Sequence, residues 1–276
     1  MRALALAVEL IVGMDANMPC IGLAIIARSL KAAVDALKTC EALGIKLSEP
    51  LYTRHGLSTT TIIDLPWYVN PLEYLEKRIE AYIRRYEHDI KALRHIWRKL
   101  EWSRIKLTTV DADALTPIVR RALERHGLPP RLPATLAEEL EDLIYAWGRR
   151  WRESYDWSMK VATGKIFKAL SRLSRRHSVL IKLEDLPLTR GIPAARRWPH
   201  TKLLRLTLGN LPKAWITLVN PRGTSKRCPT CGGRLTQISY RRLRCTSCGR
   251  KWHRDEAAAL NIATAPVTRV LQTPTR

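Results

Sequence analysis

Four cysteines, Cys228, Cys231, Cys245 and Cys248, constrain this 276-residue chain more than any other feature. They form two Cys-x-x-Cys pairs with thirteen residues between them. Each pair brings two sulfurs to one point through a tight turn. Pro229 and Gly232-Gly233 give the first turn its backbone freedom, and Gly249 serves the second. Leu235 to Leu243 reads as a short hairpin or ribbon. Four thiolates at this spacing suit tetrahedral zinc, and the metal supplies folding energy that so short a segment cannot gain from burial. A closed four-thiolate site leaves no position for a substrate, so its role is structural. Two disulfides are the competing reading. Cys20 and Cys40 stand alone in apolar contexts, which speaks for a reducing compartment and against that reading.

At this length and 46% hydrophobic content the chain can bury a full core, with one principal domain plus insertions. Its formal net charge is +23 and its pI near 10.3. Such an excess points to a polyanion whose phosphates the basic residues neutralise. An anionic membrane is the weaker alternative, because the basic residues are not gathered on one amphipathic terminal helix. The apolar start, Ala3 to Met14, is interrupted by Glu9 and followed by Asp15, so it is too short to span a bilayer. Glu9 and the lack of an A-x-A site also argue against a signal peptide, and a cytoplasmic location is expected.

In chain order, Glu9 to Asp15 and Ile21 to Ala27 read as two buried strands joined by a turn at Asn17-Met18-Pro19. Ser29 to Leu43 reads as a helix ending near Gly44, and Thr59 to Asp64 as a third strand. Pro71 to Trp102 carries apolar residues at steps of three or four, from Leu72 through Ile79 and Ile83 to Leu100, which specifies an amphipathic helix. Its other face holds Lys77, Arg78, Arg84, Arg85, Lys91, Arg94, Arg98 and Lys99, either simply solvated or facing phosphates. Thr116 to His126 is a short helix, Leu128 to Pro133 a loop, and Leu136 to His177 a second long helix. The aromatic cluster of that helix, Trp147 to Trp157, reads as packing rather than base stacking. Ser178 to Leu183 is a buried strand ended by Glu184-Asp185. Residues 187–200 read as a loop, Lys202 to Leu211 as a short helix and Ala214 to Val219 as a strand. Glu256 to Ala263 is helical, and the tail from Pro266 is expected to be loose.

Three acids then stand at strand ends or a helix start: Asp15, Glu184 and Asp255. Separate elements of a mixed α/β scaffold can bring such acids to one cleft. Two Mg²⁺ ions held there can activate a water and stabilise the leaving oxygen of a phosphodiester. The plainer readings are a turn-forming Asp15 and a strand capped by solvated charge at Glu184. Asp64 is the rival to Asp15 as the first site carboxylate.

Thr224-Ser225-Lys226-x-Cys-x-x-Cys-Gly, then Cys-x-x-Cys-Gly, then x-Arg-Asp-x-x-Ala-Ala-x-Asn-Ile at residues 253–262 resemble the C-terminus of the OrfB/TnpB proteins of insertion sequences, relatives of the type V CRISPR effector nucleases. IKLEDL at 181–186 resembles that family's second RuvC motif, and IVGMDANM at 11–18 its first. The resemblance covers roughly residues 10–264. It implies an RNase H-like (RuvC) mixed α/β sheet with long helical insertions and a zinc ribbon near the C-terminus. The nuclease core would take residues 1–223 with a helical insertion at about 70–177, the ribbon 224–253, the last motif and helix 254–264, and a tail 265–276.

The resemblance also implies that Asp15, Glu184 and Asp255 bind Mg²⁺ or Mn²⁺ and that such a domain cuts DNA guided by an RNA. Arg254 is a candidate contact to phosphate, with a structural role as the equal alternative. Against the family pattern, the first motif begins about ten residues in, so the N-terminal part that grips guide and target is expected to be absent. Ala257 replaces the frequent Asn two residues after the last Asp, and the stretch after Glu184 is short. The competing functions are a non-catalytic zinc-ribbon nucleic-acid binder and the nuclease half of a split effector. Neither a membrane partner nor a particular oligomeric state is implied.

Overall fold

Leu10–Ala16 (LIVGMDA) and Cys20–Ala27 (CIGLAIIA) carry almost no polar residue, and both are buried along their whole length. Strands apolar on both faces belong in the middle of a sheet covered on both sides. That is where the computed structural model places them. It describes residues 8–17, 19–53, 56–66, 68–70, 73–85, 109–111, 117–127, 131–185 and 194–274.

In chain order the strands are β1 (Leu10–Ala16), β2 (Cys20–Ala27), β3 (Leu51–Thr53), β4 (Gly56–Asp64), β5 (Thr109–Asp111), β6 (Arg131–Pro133), β7 (Val179–Glu184), β8 (Trp215–Val219), β9 (Leu235–Ser239), β10 (Arg242–Cys245), β11 (Lys251–His253) and β12 (Val267–Gln272). The helices are α1 (Leu30–Glu41), α2 (73–85), α3 (Pro117–Arg125), α4 (Ala134–Leu173), α5 (Ala194–Asn210) and α6 (Arg254–Thr264). Two compact units divide the chain: Met1–Pro66 with Ser158–Arg276, and Trp67–Trp157.

The first unit holds a seven-stranded mixed sheet in the order β12-β8-β7-β1-β2-β4-β3. β1, β2 and β4 run antiparallel, while β7 lies parallel to β1 and β8 parallel to β7. α6 packs directly on β1 and β2. It presents Ala257, Ala259, Leu260 and Ala263 to the face carrying Ile11, Ala24 and Ile26. Two glycines permit this approach. A Cβ at Gly13 would strike Ala259 O and lie 2.6 Å from Ala263 N, and one at Gly22 would strike Asp255 O and lie 2.9 Å from Asp255 C. Leu10, Val12, Met14, Ile21, Leu23 and Ile25 are sealed on the opposite face. Each such side chain contributes about 2 kcal/mol of burial.

The structure departs from the sequence expectations at three places. The segment from Pro266 is not loose: Val267–Gln272 pairs antiparallel with β8 and closes that edge of the sheet. VTRVLQ alternates too weakly to announce a strand, and its place is set by the open hydrogen bonds of β8. The supposed loop at 187–200 is helical from Ala194, so α5 is 17 residues long and contains Pro199. Residues 186–193 lie outside the described residues. Arg131–Pro133, expected to be loop, pairs with Thr109–Asp111.

In the second unit α2 covers only 73–85 of the helix expected over 71–102; the remainder lies outside the described residues. Among the described residues part of its charged surface is ion-paired, while Lys91, Arg94, Arg98 and Lys99 of the basic face lie outside them. Lys77 meets Glu73 at 2.7 Å, while Glu76 and Glu80 reach Arg121 (3.6 Å) and Arg125 (2.6 Å) of α3. Trp147 is buried, and Tyr155 is buried against Trp151 and Tyr68, as the packing reading of the aromatics required, whereas Trp157 is 59% exposed and departs from it. No helix among the described residues is long and apolar enough to cross a membrane.

Candidate active site

The sheet register brings Asp15 and Glu184 together, and Asp255 of α6 joins Asp15 through Asn17. Gly13 of β1 pairs with Lys182 of the parallel β7, and continuing that register by two residues sets Asp15 beside Glu184. On the other side Asp15 pairs with Gly22 of β2. The carbonyl of Asp255 rests on Gly22, so the first turn of α6 closes over the same strand ends. Asp15 is 7% exposed, Glu184 9% and Asp255 1%, far below what unpaired acids tolerate without compensation.

Local contacts fix each carboxylate. Asn17 Nδ2 donates to Asp15 Oδ2 (2.9 Å) and to Asp255 Oδ1 (2.7 Å), bridging the two. Thr224 Oγ1 donates to Glu184 Oε1 at 2.5 Å. Asn261 of α6 donates to the carbonyls of Thr224 (2.6 Å) and Arg227 (2.7 Å), tying the entry of the ribbon to the helix that carries Asp255. At the far end of α6, Lys182 Nζ donates to Ala265 O at 2.6 Å, a cation where the helix dipole is negative.

Burial, then the charges of Glu184 and Asp255, push the Asp15 carboxyl well above its ordinary range. Burial raises Glu184 as well, against the opposing pull of the Thr224 hydroxyl and of Arg254. Carboxylates crowded in this way repel one another, and a divalent cation relieves that repulsion. Oxygen donors of this kind suit hard cations. The donors Asp15, Glu184 and His200 lie within 4.8 Å of one another. The residues present therefore fit a divalent ion at Asp15 and Glu184. Asp64, the rival to Asp15, is exposed at the end of β4 and stands outside this group.

Five further residues meet here that the sequence reading did not place at the site. His200 of α5 stands with Nε2 3.7 Å from Asp15 Oδ1, and burial holds its imidazole down at about 4, hence neutral. Cys20 Sγ donates to Asp255 Oδ2 at 3.2 Å, and burial raises this thiol. Arg241 is ion-paired to Asp255 and also reaches Cys20 Sγ at 3.2 Å. It sits in the turn between β9 and β10 at φ 56°, a backbone region rare outside glycine and asparagine. Asn17 and Thr224 complete the five; both lie inside the quoted motifs, which is the signal that could have found them. Changing Arg241 to Gln leaves a buried Asp255 without its cation. It is expected to cost about 2 kcal/mol of stability in the chelator-treated protein, read as a lower unfolding midpoint that added Mn²⁺ partly restores.

The ribbon behaves as the cysteine spacing foretold. β9, β10 and β11 form a three-stranded antiparallel sheet, and His253 at its end caps α6 by accepting from Asp255 N. Sulfur separations are 3.8 Å for Cys228–Cys248 and 3.4 Å for Cys231–Cys245, too long for disulfides. Metal–sulfur bonds of about 2.3 Å at tetrahedral angles put sulfurs about 3.8 Å apart. The four cysteines thus fit one tetrahedral ion. Amides of Cys248 and Ser247 point at Cys245 and draw that thiol down to about 6. Elemental analysis is expected to find one tightly held metal per chain, lost together with about four newly titratable thiols on acid treatment.

The charge distribution singles out the same place. Residues 158–276 hold 25 of the 48 Lys and Arg residues but only four acids, Glu184, Asp185, Asp255 and Glu256. Every acid in that stretch belongs to the two motif positions.

Comparison with known proteins agrees with the motifs. Residues 213–262 match the family described as Cas12f1-like, TNB domain. A TnpB-like protein of Methanocaldococcus jannaschii is 30% identical over 172 residues, 57% of this chain and 59% of that protein. Two solved structures of CasPhi-2 (Cas12j), one bound to crRNA and one to crRNA and phosphorothioate-DNA, align over 95% and 100% of this chain. These alignments cover 48% and 47% of CasPhi-2, at 12% and 15% identity and TM-scores of 0.40 and 0.43. The chain thus spans less than two thirds of the relatives it matches. The likeness to the OrfB/TnpB proteins read from the motifs is borne out by the TnpB-like relative and the Cas12f1-like domain.

Proposed function

We propose that this chain is a metal-dependent, RuvC-type nuclease that hydrolyses DNA phosphodiesters, with an RNA guide as its second nucleic-acid partner. One observation carries the reading. Asp15, Glu184 and Asp255, up to 240 residues apart, converge at one end of the sheet in an otherwise strongly basic part of the chain. The sheet supports it. Taken in chain order among β1, β2, β4, β7 and β8, the strands lie third-second-first-fourth-fifth, with the first three antiparallel and the last two parallel to the first. That is the arrangement an RNase H-like core would have. Residues 1–223 with the helical insertion, the ribbon at 224–253 and the last helix at 254–264 are its parts.

Asp15, Glu184 and Asp255 would hold Mg²⁺ or Mn²⁺, and zinc would occupy the four cysteines. Bound divalent ions would supply activation of a water and stabilisation of the leaving oxygen. The chain's own groups do the rest. Asn17 keeps Asp15 and Asp255 in fixed relation, and Thr224 orients Glu184. Arg254 is exposed and close enough to favour the charged forms of Asp15 and Glu184, a position from which it can meet a phosphate. The test is cleavage of labelled DNA by wild type and Glu184→Gln with Mg²⁺, Mn²⁺ or chelator. Cleavage that needs both the ion and Glu184 supports the proposal; cleavage indifferent to either contradicts it.

The ion pair of Arg241 with Asp255 favours a second reading, a nucleic-acid binder without catalysis, because it already neutralises one of the three acids. Tight DNA binding with no ion-dependent cleavage, also in the presence of a separately encoded recognition partner, would select it.

A further inference from the structure

An all-oxygen site and a site with one imidazole do not favour the same ions. Mg²⁺ takes oxygen ligands in a near-ideal octahedron, whereas imidazole nitrogen strengthens binding of first-row transition metals relative to Mg²⁺. Among the described residues, the third His, Cys or acidic donor grouped with Asp15 and Glu184 is a nitrogen. His200 projects from α5 with its side chain 10% exposed, and its donor atom lies with theirs inside a 4.8 Å group. At 3.7 Å from Asp15 Oδ1, Nε2 is beyond good hydrogen-bonding distance, a spacing that two ligands of one ion adopt naturally. Asp255, by contrast, is engaged by Asn17, Cys20 and Arg241.

We propose that His200 is a metal ligand, and that Asp15, Glu184 and His200 form a mixed oxygen–nitrogen site selective for a transition-metal dication over Mg²⁺. The inference rests on the metal-site reading above and names which ion that site prefers. The ribbon's soft thiolates do not compete for Mn²⁺, so Mn²⁺ is the probe.

The experiment uses the full chain with its ribbon zinc-loaded. Mn²⁺ binding is followed by electron paramagnetic resonance, and Mg²⁺ is titrated as competitor. Wild type, His200→Ala, His200→Gln and Asp15→Asn are compared at matched unfolding temperatures. In wild type, pulsed spectra are expected to show nitrogen coupled to the bound Mn²⁺. That coupling disappears in both His200 variants, and Mn²⁺ binding weakens about tenfold or more while the Mg²⁺ constant moves much less. His253→Asn serves as control and retains the coupling. Binding that Asp15→Asn abolishes but His200→Ala leaves unchanged, nitrogen coupling included, overturns the inference and leaves the carboxylate site standing. Equal weakening of Mn²⁺ and Mg²⁺ overturns it as well. Absence of any Asp15-dependent Mn²⁺ binding overturns the metal-site reading itself.

Discussion

Asp15→Asn is expected to lower ion-dependent DNA cleavage by about a thousandfold, equivalent to roughly 4 kcal/mol of lost charge stabilisation at the reacting phosphate. The substitution keeps the shape of the side chain and its place beside Gly22, so the sheet is unaffected. What it removes is one negative charge from the set that also includes Glu184 and Asp255. The same variant is expected to be more stable than wild type when both are stripped of divalent ions near neutral pH. Burial and its two acidic neighbours raise Asp15, so the folded chain holds that proton more tightly than the unfolded chain does. Stability of the stripped protein therefore falls as pH rises from the ordinary carboxyl range, about 3.9 for Asp, through the raised value. An amide at position 15 removes that loss. Each kcal/mol relieved raises the unfolding midpoint by about 2–4 °C. A gain in stability paired with a loss of cleavage separates this role from a purely structural one, which predicts loss of both.

Gly22→Val should be strongly damaging to both fold and site. Any Cβ at residue 22 collides with the backbone of Asp255, and no rotamer relieves a contact between main chains. Either β2 or the first turn of α6 must move. A destabilisation upwards of about 3 kcal/mol is expected, at the top of the range for overpacked cores. Gly22→Ala, which adds the same Cβ with nothing beyond it, should retain more of the fold while still displacing Asp255. Its signature is weaker Mn²⁺ binding at nearly normal ribbon metal content. Equal loss of both metals would mean general unfolding and would contradict this assignment of the glycine.

The central strands could be read because burial on both faces demands largely apolar runs, and IVGM, IGLAIIA and SVLIKL have them, with Ser178 and Lys182 as the polar exceptions. β12 could not, since an edge strand needs no second apolar face and takes its place from β8. α5 was hidden by Pro199 and its arginines, which resemble loop composition. The same contrast holds at the site. Asp15, Glu184 and Asp255 stand where a strand ends or a helix begins, and that position is visible in one dimension. Arg241 is one arginine among several in the ribbon. Only the fold of the hairpin, with its positive φ, turns it toward Asp255. His200 carries no sequence signal, because its meeting with Asp15 depends on where α5 crosses the ends of β1 and β7.

The most direct test of the account is cleavage of labelled single-stranded DNA by wild type and Asp255→Ala with Mg²⁺ or Mn²⁺. Co-purifying RNA is retained in one preparation and removed in the other. Ion-dependent cleavage by wild type and its loss in Asp255→Ala are expected, with RNA removal reporting whether a guide is required. Cleavage that survives the loss of Asp255, or binding without cleavage in wild type under every condition, would contradict it.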